Sequence, residues 1–133
     1  FFTHCPSICP QMTKNLKKIQ EACKDEPGII FRSFTVDPER DSPAQLKEYT
    51  ARFAINTANW SFLTGDKKEI YKLARNSFMI VATDGDGGPL DFIHSEKLVL
   101  ADMKKRIRGY YDGTSDKEVN QLINDIKKLQ HEK

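Results

Sequence analysis

Phe1-Phe2-Thr3-His4-Cys5-Pro6-Ser7-Ile8-Cys9-Pro10 opens the chain and decides how the rest is read. Two cysteines stand four positions apart, and each is followed by proline. Packing alone gives no reason for that pattern. A Cys-x-x-Cys spacing suits disulfide exchange, and one residue more changes how the sulfurs converge. On a helix, positions i and i+4 share a face with β-carbons about 5–6 Å apart. That reach suits a soft metal ion or, with backbone adjustment, a disulfide. Pro10 places the helix that follows. Proline is favoured at the first helical position, where its missing N–H costs nothing, and disfavoured deeper. The helix is therefore expected to start at Pro10, with Cys9 near its cap and Cys5 in the preceding loop. Its unpaired N–H groups and dipole favour thiolate at both cysteines.

Working outward, Met12, Leu16, Ile19 and Cys23 recur at helical spacing and give one apolar stripe. The helix is expected to stop near Pro27-Gly28. Residues 29–36, Ile-Ile-Phe-Arg-Ser-Phe-Thr-Val, read as a strand. A turn-rich loop over 37–43 ends in Ser42, the cap of a helix from Pro43 to about Phe53. Residues 60–63 predict a short strand. Residues 66–76 predict a helix with Ile70, Leu73 and Ala74 facing inward, and 78–82 another short strand. The loop over 83–89, Thr-Asp-Gly-Asp-Gly-Gly-Pro, lacks the spacing and final glutamate of a calcium loop and reads as a turn. Strands over 98–101 and 107–111 form a hairpin through 102–106. A closing helix over 115–131 carries Val119, Leu122, Ile123, Ile126 and Leu129 on one face. This order gives an α/β fold with a mixed sheet flanked by helices. In such sheets, sites collect at the C-terminal strand ends. A strand ending at Phe1-Phe2 delivers Cys5 there.

The 133 residues suit one domain spanning 1–133. Lys and Arg total 21 against 19 Asp and Glu, a formal charge of +2 that argues neither for nor against a nucleic-acid surface; no nucleic-acid partner is expected. The basic run over 104–108 reads as a solvated turn. No apolar stretch approaches the roughly 20 residues that span a bilayer. Domains seldom begin at their own reactive site, so the chain is expected to be a fragment whose leading strand is largely truncated and whose membrane anchor, if any, is not included. Cys23 completes the apolar stripe and reads as a core thiol. Met12 reads as core and His131 as solvated. Residues 37–41 read as turn and cap residues with Arg40 paired locally, rather than as a catalytic carboxylate pair. A docking role for that loop stays open.

The cysteine motif, then Phe34-Thr-Val-Asp-Pro-Glu-Arg-Asp-Ser-Pro43, His94-Ser95 leading into Leu98-Val-Leu-Ala-Asp102, and Tyr110-Tyr-Asp-Gly113 together resemble the Sco/SenC proteins. The likeness spans nearly the whole chain. It implies a thioredoxin-like fold and a membrane-tethered, extracytoplasmic copper-binding protein, on the periplasmic side if bacterial. It implies a role in assembling the dinuclear copper centre of cytochrome c oxidase. The implied ligands of Cu(I) or Cu(II) are Cys5, Cys9 and His94. The implied partner is the copper-site subunit of cytochrome c oxidase or another copper protein. There is one departure: members often carry an aspartate directly before the histidine, where this chain has Ile93, with Asp91 the nearest acid upstream. Two thiolates and an imidazole make a low-coordinate site suited to passing a soft ion on. A closed four-ligand cage would instead suit structural zinc.

Other chemistries stay open. Cys5 and Cys9 would equally serve as the redox pair of a thiol–disulfide oxidoreductase that reduces a partner's copper-binding cysteines, so enzyme status is undecided. His94 discriminates, because disulfide exchange has no need of it. A peroxidase reading fits poorly, since Thr3 precedes Cys5 by two positions rather than three. A plain binding module would use a Cys5–Cys9 bond only as a staple. His4 beside Cys5 can add positive charge and is expected to point away from any metal.

Overall fold

The stripe from Met12 to Ile19 lies on a helix, α1, over Ile8–Ala22, and Cys23 follows its end, its N–H still bonded to the Ile19 carbonyl at 3.0 Å. The computed structural model describes residues 1–6, 8–79, 85, 87–88 and 95–131. α1 begins two residues before Pro10, so Cys9 lies inside the first turn rather than near its cap. The N–H groups of the first turn have no helical acceptor, and a proline third in the helix therefore removes no bond.

β1 covers Phe31–Phe34, shorter than the expected 29–36. Its ladder is nonetheless prolonged at both ends, by Phe31 N–H to the Asn59 carbonyl at 2.8 Å and Thr35 N–H to Leu63 at 3.0 Å. α2 spans Pro43–Arg52, with the Ser42 hydroxyl accepting the Gln45 N–H as its cap. β2 is Trp60–Leu63, as expected. α3 spans Lys67–Lys72 under an Asp66 cap and continues as a single π turn over Leu73–Ser77. Ala74 is buried, while Ile70 and Leu73 are half-buried. The inward position belongs to Tyr71, whose hydroxyl donates to the Val36 carbonyl at 2.5 Å. Of the strand expected over 78–82, Phe78 still closes the π turn and Met79 has φ +51°; residues 80–82 lie outside the described residues.

β3, Lys97–Ala101, and β4, Ile107–Asp112, form the expected hairpin, with a bulge beside Leu100 and Ala101. Asp102 organises its turn. It accepts backbone N–H bonds from Lys104 and Arg106, both at 2.9 Å, and faces the Arg106 and Arg108 guanidinium groups. The backbone bond from Arg106 is the largest cause holding its carboxyl down at about 2. The basic run of 104–108 is thus partly neutralised by its own turn. α4 covers Asp116–Gln130 and is capped by Ser115.

β1 and β2 pair in parallel, Phe31 with Trp60 through Phe34 with Leu63, whereas β3 and β4 are antiparallel. On the other edge of β1, the Phe1 nitrogen lies 3.4 Å from the Phe34 carbonyl, and the Val36 N–H donates to the Phe1 carbonyl at 2.7 Å. Those two bonds, reaching from either side of Thr35 to one residue, are the signature of a parallel bridge. The main core joins Ile19 of α1, Cys23 just past its end, Phe31, Trp60, Tyr111, and Val119, Leu122 and Ile126 of α4. A smaller cluster of Val36, Tyr71 and Ala74 packs with Phe2 and Ile70. Gly113, just past β4, sits against the side of α1. A β-carbon there would lie 3.1 Å from Met12, from Leu98 and from the Glu96 carbonyl.

Ile19 is fully buried, and truncation there removes core contacts that the site cannot refill. Ile19→Ala should lower unfolding free energy by about 2–5 kcal/mol. Ile30→Ala, at a side chain 64% exposed, should change it by less than about 0.5 kcal/mol. Urea midpoints measure both.

Candidate metal centre

The bridge at Phe1 sets the chain running past the C-terminal end of β1, and a turn follows at once. The Cys5 N–H returns to the Phe2 carbonyl at 3.2 Å. Thr3 points inward from this turn, 6% exposed. Its N–H donates to Asp41 Oδ2 at 3.1 Å and its hydroxyl donates to Asp41 Oδ1. The Thr35 hydroxyl donates to Asp41 Oδ2 at 2.5 Å. His4 is exposed, with Nδ1 3.3 Å from Thr3 Oγ1.

Cys5 is half-buried at the end of the turn, and its Sγ accepts the Cys9 N–H at 3.3 Å. One of the unsatisfied N–H groups of α1 thus ends on sulfur. Cys9 itself is buried. All three cysteines are thiols. Burial pushes the Cys9 thiol up to about 11, and hydrogen bonding and charge from Cys5 reinforce the rise, while a hydrogen bond to the Phe2 backbone opposes it. The thiolate expected at both cysteines from the helix end is therefore corrected for Cys9, where burial is the largest cause and raises the thiol. Cys23 lies in the main core, and burial raises its thiol too.

The structure brings Cys5 and Cys9 together, whereas His94, with Ile93 and Asp91, lies outside the described residues. Among the described residues, no three His, Cys, Asp or Glu side chains form a metal-binding group. Met12 is buried beside Gly113, and His131 is exposed at the end of α4. Arg40 pairs with Asp37 at 3.7 Å, the local pairing expected of that loop. Asp41 differs from its loop neighbours in being wholly buried. Sequence reasoning gave it only a turn or capping role. Its partner Thr3 is 38 residues away, and no local spacing reveals such a contact.

Two adjacent sulfurs, one half-exposed and one buried, can share a soft cation once deprotonated, or join in a disulfide. The molecule is thus a thioredoxin-like α/β domain with a thiol pair at the mouth of its first helix. The SCO1/SenC family pattern matches residues 1–131. The chain belongs to that family. It is 34% identical over 128 residues to the SCO1 protein homolog of Bacillus subtilis, covering 95% of this chain and 66% of that protein. The chain therefore spans just under two thirds of that relative's length. The structure of BsSco, a member of the Sco family of cytochrome c oxidase assembly proteins in which a disulfide switch was identified, is similar at a TM-score of 0.81 and 32% identity, covering 100% of this chain and 78% of that one. Bradyrhizobium japonicum ScoI with copper bound is similar at 0.71 and 25%, covering 96% of this chain and 80% of that one.

The difference between the thiols is measurable. At pH 8, iodoacetamide should modify Cys5 roughly tenfold or more faster than Cys9 or Cys23, because reactivity follows thiolate fraction and access; peptide mass spectrometry reads the order. Cys9 also sets a pH dependence. Its thiol moves from an ordinary 9.0 to about 11 on folding. Between those values the unfolded chain binds fewer protons than the folded one, so stability falls as pH rises. Over that window the urea midpoint of the parent should fall more steeply than that of Cys9→Ser.

Proposed function

We propose that this chain carries copper for assembly of the dinuclear copper centre of cytochrome c oxidase, with Cys5, Cys9 and His94 as its ligands. The observation that carries the reading is the contact of Cys5 Sγ with the Cys9 N–H at 3.3 Å. It stands both sulfurs together at the end of α1. The copper-bound Bradyrhizobium relative and the oxidase-assembly role of BsSco support the same cargo and purpose. Cu(I) is soft and prefers thiolates, with imidazole as an acceptable third donor. Cys9 is the buried anchor. Cys5, more open to solvent, is the point at which a recipient's thiol can displace the ion by ligand exchange. Loading must expel the Cys9 proton, so apparent affinity rises with pH. The recipient is the copper-site subunit of the oxidase or another copper protein. The working location is extracytoplasmic, at a membrane. No helix of the described residues is long and apolar enough to cross one.

Competition with a chromophoric Cu(I) chelator under anaerobic conditions tests the ligand set. The parent should bind one Cu(I) per chain. Cys5→Ser and Cys9→Ser should lose tight binding. His94→Ala should weaken it beyond the roughly 10–100-fold typical of removing an outer-shell partner.

The unequal exposure of the two thiols also favours a second reading, disulfide exchange. Cys5 thiolate attacks a partner disulfide and one partner sulfur leaves as thiolate. Cys9, once deprotonated, then attacks Cys5 in the mixed disulfide. The partner departs as a dithiol and this chain is left with a Cys5–Cys9 bond. If His94→Ala holds copper as tightly as the parent while Cys5→Ser loses reductase activity, exchange is the function and the copper reading fails.

A further inference from the structure

We propose that Asp41 is a positioning residue for Cys5, acting through Thr3. The inference rests on the reading that Cys5 and Cys9 form the working site. A wholly buried carboxylate is unfavourable unless its oxygens receive hydrogen bonds, and a loop could be packed with an apolar side chain instead. Here two of the donors come from one residue, the N–H and the hydroxyl of Thr3. Taking both fixes the backbone and the side-chain rotamer of Thr3 together. Thr3 is the second residue of the turn that the Cys5 N–H closes onto the Phe2 carbonyl. A grip at Thr3 is therefore a grip on the whole turn, and Cys5 is its last residue. The other side of the clamp is firm. The Asp41 N–H donates to the Asp37 carbonyl at 2.9 Å, the Asp37 N–H donates to Thr35 Oγ1 at 3.0 Å, and the next residue, Ser42, caps α2. Asp41 thus ties the cysteine turn to the end of β1 and the start of α2. It holds Cys5 Sγ against the Cys9 N–H before any ligand arrives, which lowers the ordering needed for two sulfurs to act as one site.

Thr35 provides an internal control. Its hydroxyl donates to the same carboxylate from just past β1, and it too is buried, but it lies outside the cysteine turn. Thr3→Val and Thr35→Val each remove one buried hydroxyl from Asp41. Both variants should lower the urea midpoint, Thr35→Val at least as far, because it also removes the acceptor of the Asp37 N–H. Thr3→Val should weaken Cu(I) binding by roughly tenfold or more, as loss of an outer-shell partner does, and Thr35→Val by clearly less. Thr3→Ser, which keeps both donors, should restore it. The metal-free readout is the equilibrium of the Cys5–Cys9 pair with glutathione. Thr3→Val should lower its constant for disulfide formation several-fold, while Thr35→Val, which leaves both Thr3 bonds to Asp41 in place, shifts it by a clearly smaller factor. If the parent binds no Cu(I) but Thr3→Val still shifts the glutathione equilibrium selectively, the copper reading fails and the positioning role stands. If Thr3→Val matches the parent in both readouts, or Thr35→Val shifts them as far, Asp41 is a stability element only and the proposal is overturned.

Discussion

Two hydrogen bonds between Phe1 and the backbone on either side of Thr35 govern the working end of this molecule. They align the chain in parallel with β1 and bring it out at the C-terminal strand end, where α/β sheets leave room for chemistry. The turn at residues 2–5 and the first turn of α1 then face each other across a few residues. Everything at the thiols follows from that exit. Had residue 1 paired in the opposite sense, the same cysteines would emerge at the other edge, away from the 37–41 loop.

The thiols so placed are unequal. Cys9 belongs to the helix and is shielded by it, and burial keeps its proton on well above neutral pH. Cys5 belongs to the turn and is more accessible. The helix end, which would by itself promote ionisation, spends one N–H on the Cys5 sulfur. Burial therefore opposes charge on the hidden sulfur, while the accessible one receives a helix N–H. A soft cation entering this pair meets the reactive donor first and the protecting donor second.

Much of the architecture was legible from local chemistry. Ser42-Pro43 and Ser115 marked helix starts because caps act within three or four residues. The stripe from Met12 to Cys23 marked the inner face of α1 because helical periodicity is also local. The start of α1 was misplaced by two residues, since proline is tolerated through most of a first turn and not only at its head. Tyr71 was passed over because a side chain with one polar atom reads ambiguously; its hydroxyl found a buried carbonyl instead of water. Asp41 was read as an ordinary loop acid, since only the tertiary fold brings Thr3 to it. The cysteine pair was evident from spacing alone, but the choice of copper and of His94 came from resemblance.

Gly113 carries a consequence of its own. Asn15 donates to its carbonyl at 2.7 Å, and Gln11 donates to the Thr114 carbonyl at 3.1 Å, so the loop after β4 latches the front half of α1. A methyl group at 113 would stand 3.1 Å from the Met12 side chain, tighter than ordinary contact, so a larger residue would press on α1 at the turn next to Cys9. A lesion more than a hundred residues downstream would then disturb the cysteine pair in a protein whose thiols are both intact. Anyone sorting harmful variants by their nearness to the cysteines along the chain would file it in the wrong place.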